Sequence, residues 1–167
     1  MTASLPVIDI HFDSFIGNNR AIISNYKIGL NRETTSNSLI TRMGNNRLVS
    51  AKNIVVFHKL TDFAEVKNNW DNNNAIAPDQ STINAAKRFA EDIDKVGIDI
   101  FYCTYGQNGE ILIELKKDNK AIEFYFYPKG IQDYAAFDEN NDLEREAALT
   151  KDEFRKVIQW FNFGKWI

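Results

Sequence analysis

Cysteine is almost missing from this sequence. Cys103 stands alone among 167 residues, which excludes a disulfide framework. Histidine is nearly as scarce: with only His11 and His58, a structural or catalytic zinc centre lacks its usual donors. A nucleophilic thiol would need one of those two imidazoles folded beside Cys103, and nothing in the spacing arranges it. Cys103 therefore reads as a small buried thiol on a strand. The eight glycines are scattered, and neither Gly-Lys-Ser/Thr nor Gly-x-Gly-x-x-Gly occurs, so the sequence has no phosphate-cradling loop. No apolar run approaches the roughly 18–20 residues of a membrane span. Residues 1–13 lack a basic stretch followed by an apolar one, so no signal peptide is expected and the default compartment is cytoplasmic.

The most calcium-like stretch is Asp138-Glu139-Asn140-Asn141-Asp142-Leu143-Glu144. It has Leu143 where the loop needs glycine and Leu149 where it needs a bidentate Glu, so it reads as a solvated acidic loop. The inventory thus predicts no metal, no cofactor and no catalytic residue.

What is present is the balance of a globular protein, 44% hydrophobic and 26% charged, in about one domain of ordinary size. Charge is unevenly placed. Residues 14–60 hold seven Lys and Arg (Arg20, Lys27, Arg32, Arg42, Arg47, Lys52, Lys59) against Glu33, a net of +6. The first 13 residues contribute −2, so residues 61–167 carry −7 of the total −3. This predicts a polyanion-binding lobe, or a basic lobe matched to acids of the remaining chain or of a partner. Nucleic-acid binding through that lobe has few aromatics to draw on (Phe15, Tyr26, Phe57), and the overall pI is near 5.4.

Alternation of Ile8, Ile10 and Phe12 with Asp9 and His11 predicts a strand, followed by an apolar run from Ile22 to Leu30 and a polar loop over 31–38. Gly44-Asn45-Asn46 separates Leu39–Met43 from Leu48–Phe57, a hairpin pattern. Residues 1–57 are thus expected to form a small basic β-meander lobe, and 58–167 the rest of the fold. Leu60, Phe63, Ala64 and Lys67 permit a short helix. Pro78 and Asp79 open a clearer one with a stripe of Ile83, Ala86, Phe89, Ala90, Ile93 and Val96, capped by Gly97. A meander follows over 98–105, 110–117, 121–127 and 131–137. Thr150-Lys151-Asp152-Glu153 is a capping box opening a last helix that carries Phe154, Val157, Ile158 and Phe161. The fold class is α+β, an antiparallel sheet packed with two helices.

A turn at Asp118-Asn119 sets Lys117 opposite Lys120, Ile113 opposite Phe124 and Glu114 opposite Glu123. A two-residue turn at Asn108-Gly109 sets Cys103 opposite Glu114 and Thr104 opposite Ile113. One face then holds Ile100, Tyr102, Ile111, Ile113, Leu115, Ile122, Phe124 and Phe126, the core. The other holds Phe101, Cys103, Tyr105, Leu112, Tyr125 and Tyr127 around Glu114 and Glu123, although a solvated face should be polar. Either the basic lobe covers it, or a partner docks on Phe101, Tyr105, Leu112, Glu114, Glu123, Tyr125 and Tyr127. Paired carboxylates also occur in acid hydrolases, which makes catalysis by Glu114 and Glu123 a third reading.

Trp70-Asp71, Ala75 and Pro78, then Ala86 and Phe89 of the helix, then Asn108-Gly109-Glu110-Ile111 and Ile113-Glu114 resemble a group of small uncharacterised bacterial proteins. The resemblance spans about residues 58–137. It departs at Asn73 and Asn74, where that group has an aromatic and a glycine, and at Leu115, where it has Trp. The resemblance implies a small accessory or interaction protein and no particular reaction. The sequence is therefore expected to encode a non-enzymatic interaction subunit of accessory, antitoxin or immunity type, whose partner is another bacterial protein. Nucleic-acid binding is the alternative, and no membrane partner is expected.

Overall fold

A two-stranded antiparallel pair, β1 (Thr41–Met43) and β2 (Arg47–Val49), leads into the first helix in the computed structural model, which describes residues 41–43 and 47–166, with side chains from Val49 onward. The elements that follow are α1 (Ala51–Asp62), α2 (Gln80–Lys95), β3 (Tyr102–Tyr105), β4 (Ile111–Lys117), β5 (Lys120–Phe126), β6 (Gln132–Phe137), β7 (Leu143–Ala148) and α3 (Lys151–Phe163). The strands expected over 8–12 and 22–30, and the loop over 31–38, lie outside the described residues. The protein is α+β: β3 to β7 form one antiparallel sheet in chain order, with helices on one face.

Helix α2 forms as its stripe predicts. Asp79 caps it by accepting from the Thr82 N–H at 2.7 Å, and Gly97 takes the left-handed conformation at its end, φ 74°. Its stripe meets the sheet through Phe89, whose ring centroid lies 4.5 Å from Phe124, 5.1 Å from Phe126 and 5.5 Å from Phe154 of α3. The core-facing row across the sheet runs Cys103, Ile113, Phe124, Tyr134 and Ala147. Helix α3 starts at the predicted box, with the Thr150 hydroxyl accepting from the Glu153 N–H. Glu153 also fastens α3 to the sheet. It accepts from the buried Tyr134 hydroxyl at 2.7 Å and pairs with Arg145 at 2.8 Å and Lys156 at 3.0 Å, a set that holds its carboxyl below the usual range.

Three local expectations are corrected. The run Leu48–Phe57 is not one strand: β2 ends at Val49 and residues 51–57 are helical. Val55, Val56 and Phe57 favour strands by residue type, but Asn53, Val56 and Leu60 share one helix face, and burying that face decides the outcome. Helix α1 consequently runs through position 57, and its Val56 and Leu60 enter the same core as α2. Second, Leu143 and Glu144, expected as the end of the solvated acidic loop, instead open the edge strand β7, a stretch of Leu, Glu, Arg and Ala for which no strand was expected. Third, the β3–β4 register differs by one residue. Tyr105 faces Ile111 and the Gly106 N–H donates to the Glu110 carbonyl, leaving Gln107-Asn108-Gly109 as a three-residue loop with Gly109 at φ 79°. Cys103 and Tyr105 thereby turn to the core side, and Tyr102 turns away from it.

Cys103 is the buried thiol expected, now on the core face, and burial pushes its pKa up to about 12. Its reaction with a thiol reagent at pH 8 is expected to be negligible in the native protein and rapid in denaturant. A prompt native reaction would show that the β3 edge opens.

Candidate functional site

Strand alternation projects a second row of side chains away from the helices. Across the sheet, Tyr102, Glu114, Glu123, Ala135 and Glu146 are successive register partners. The adjacent row holds Thr104, Leu112, Tyr125, Asp133 and Ala148. Leu112, Glu114, Glu123, Tyr125, Asp133 and Ala135 are all half-buried, and no described helix or strand packs over them.

Register on β4 and β5 is fixed by the two-residue turn Asp118-Asn119, both with left-handed backbone (φ 50° and 64°). That turn forces Glu114 opposite Glu123, because a two-residue loop leaves no slack. The Tyr125 hydroxyl donates to the Glu123 carboxylate, and its ring stacks on Tyr127 with centroids 6.1 Å apart and planes 13° from parallel. Burial, followed by the Glu123 hydrogen bond, pushes the Tyr125 hydroxyl pKa upward, so this phenol stays a proton donor. Burial also raises the Glu114 carboxyl above its ordinary value; the Glu123 charge adds to this and Lys116 opposes it. No ion pair to Lys or Arg is formed by Glu114 or Glu123 among the described residues.

The expected partner-binding residues thus divide. Leu112, Glu114, Glu123, Tyr125 and Tyr127 come together on this face. Tyr105 does not: the longer loop turns it to the core side, where its ring packs edge-on against Phe63 at 4.8 Å and Trp70 at 5.0 Å. Phe101 stands just before β3, 60% exposed, with the Lys116 Nζ 5.3 Å from its ring centroid. Sequence reasoning missed Tyr102, Asp133 and Glu146 as members of the face. The shorter turn places Tyr102 in the core, and Glu146 lies on β7, beyond the last strand the sequence predicts.

Of the basic residues singled out, Arg20, Lys27 and Arg32 lie outside the described residues. Arg42 sits on β1 and Arg47 on β2. Lys52 pairs with Asp99 at 3.0 Å on α1's exposed side. His58 is exposed on α1 while Cys103 is buried, and no group of three or more His, Cys, Asp or Glu side chains fit to hold a metal exists among the described residues. Asp138 accepts from the backbone N–H of Asn140 at 2.8 Å and of Asp142 at 2.9 Å, so its carboxylate closes its own loop. No described helix is long and apolar enough to cross a membrane.

Glu114 gives a pH-dependent test. A carboxyl whose folded pKa is raised destabilises the fold once ionised, so its contribution is most favourable at acid pH and is lost as pH rises through the folded value. Glu114→Gln is expected to raise stability at neutral pH by a few tenths to about 1 kcal/mol, the scale of a directly opposed like-charge pair. Below about pH 4, where carboxyls are protonated, it should make no difference. Denaturant melts at the two pH values check this.

No protein-family model, curated protein or solved structure matches the chain.

Proposed function

We propose that this protein is a non-enzymatic interaction subunit, of the accessory, antitoxin or immunity type found in bacterial systems, that binds another protein through the open face of its sheet. One observation carries the reading: a half-buried aromatic and acidic face, with Leu112, Glu114, Glu123, Tyr125 and Tyr127 gathered on it, over which no described element packs. Large side chains of this kind are unusual on a surface that stays solvated, and Tyr with apolar neighbours is typical of interface centres. A hydrolase using the Glu pair has less support. Among the described residues no helix or strand forms a wall over the two carboxylates, and the neighbouring Tyr125 hydroxyl is already donated to Glu123.

The test is affinity capture with the tagged full chain from its native host, compared with the double variant Leu112→Ala/Tyr125→Ala. A protein retained by the wild type and lost by the variant, at an unchanged melting temperature, supports the reading. Retention of the same protein by both would move the interface elsewhere. The nucleic-acid alternative, acting through the basic residues of 14–60, predicts salt-sensitive binding of duplex or single strands instead.

A further inference from the structure

We infer that the guest of the open face is a basic segment of another polypeptide, one of whose Lys or Arg side chains inserts between Glu114 and Glu123 while its apolar neighbours lie along Leu112 and the Tyr125–Tyr127 stack. The inference rests on the reading of this face as a docking surface and names the partner's chemistry. Charge complementarity carries it. Four carboxylates belong to the two rows: Glu114, Glu123, Asp133 and Glu146. Lys116, two residues along from Glu114 on β4, only partly opposes the rise of the Glu114 pKa, and it lies over the Phe101 ring at the margin. Glu114 forms no hydrogen bond or ion pair through its side chain with any described residue. Directly opposed, partly desolvated carboxylates repel when empty and become favourable when one cation bridges them.

The aromatic neighbours narrow the chemistry. The faces of Tyr125 and Tyr127 attract a guanidinium or ammonium and its aliphatic stem, and Leu112 sits opposite Tyr125 in register. A polyanion is repelled by this surface. A metal ion lacks a converging set of three donors among the described residues. The chain's own residues 1–40 carry no excess of positive charge, holding Arg20, Lys27 and Arg32 against Asp9, Asp13 and Glu33. A separate basic polypeptide fits best.

The experiment uses the full-length protein and a fluorescent peptide of alternating arginine and valine, with the glutamate–valine peptide as its counterpart, read by anisotropy. The arginine peptide is expected to bind, to weaken with added salt, and to lose about tenfold or more in affinity on Glu114→Gln/Glu123→Gln, as expected when a partly desolvated charge pair is broken. The glutamate peptide is expected not to bind. Equal affinity of the wild type and the double Gln variant overturns the inference. If Leu112→Ala/Tyr125→Ala still abolishes capture of the native partner, the docking face survives and only the cationic guest falls. A lower melting temperature for Glu114→Gln at neutral pH would place the bridging cation on this chain itself and likewise overturn the external guest.

Discussion

Phe89→Ala is expected to lower the unfolding free energy by about 3–5 kcal/mol, the range for deleting a fully buried aromatic. The ring is completely inaccessible and touches aromatic rings from β5 and α3 at once, so its removal opens a hole bounded by a hydrogen-bonded sheet and two helices. A sheet paired on both sides of β5 cannot collapse into that hole, which puts the expected loss toward the upper part of the range. Phe124→Ala should cost a similar amount, and the two losses should not add, because the rings are in contact. Val55→Ala, on the exposed side of α1, should stay within about 0.5 kcal/mol of wild type and serves as the control. Urea midpoints measure all of these. A Phe89→Ala midpoint close to wild type would mean that α2 does not pack on the sheet through this ring.

Asn53→Asp is expected to cost about 3 kcal/mol or more at neutral pH. The Asn53 amide is completely buried and bridges α1 to the segment after α2. It donates to the Asp94 carboxylate at 2.9 Å and to the Ile98 carbonyl at 3.0 Å, and it accepts from the Ile100 N–H at 2.8 Å. The substitution removes both donated bonds, one to the Ile98 carbonyl and one to the Asp94 carboxylate, which keeps the Ser50 N–H as a donor at 3.2 Å; a buried polar group left unsatisfied costs about 1–3 kcal/mol. The new carboxylate would also face that of Asp94 at hydrogen-bond distance. Such a pair prefers a shared proton in the folded state, so this part of the loss appears as pH rises through the carboxylate range and shrinks on acidification. Asn53→Ala lacks the charge, so its deficit should not carry that pH dependence. Melts of both variants at neutral and mildly acid pH separate hydrogen bonding from charge, and equal pH profiles would remove the charge contribution.

Local sequence specifies this fold unevenly. Where a segment carries its own geometric signal, the reading was sufficient. The Ile83–Ile93 stripe with Asp79 before it and Gly97 after it is a helix by period and by caps, and the Thr150–Glu153 box starts α3 where expected. The Asp118-Asn119 turn, too short to admit another register, placed Glu114 opposite Glu123 and so specified the centre of the candidate surface.

Elsewhere the deciding force lies outside the segment. Whether the Gln107–Gly109 loop has two residues or three is settled by contacts from afar: the Ile76 N–H donates to the Gln107 carbonyl at 2.8 Å, and a Cβ at Gly109 would come within 3.0 Å of the Ala77 carbonyl oxygen. That one residue exchanges Tyr105 for Tyr102 on the open face, because strand side chains alternate with a period of two. Helix α1 forms from β-favouring residues because one face of it completes the core, and β7 forms from helix-favouring ones because the edge of β6 offers it a ladder of hydrogen bonds. Periodicity, caps and the tightest turn are properties of a few neighbouring residues, and the sequence by itself determined those. The faces of β3, α1 and β7 depend on burial and pairing with partners distant along the chain, which only the tertiary structure decided.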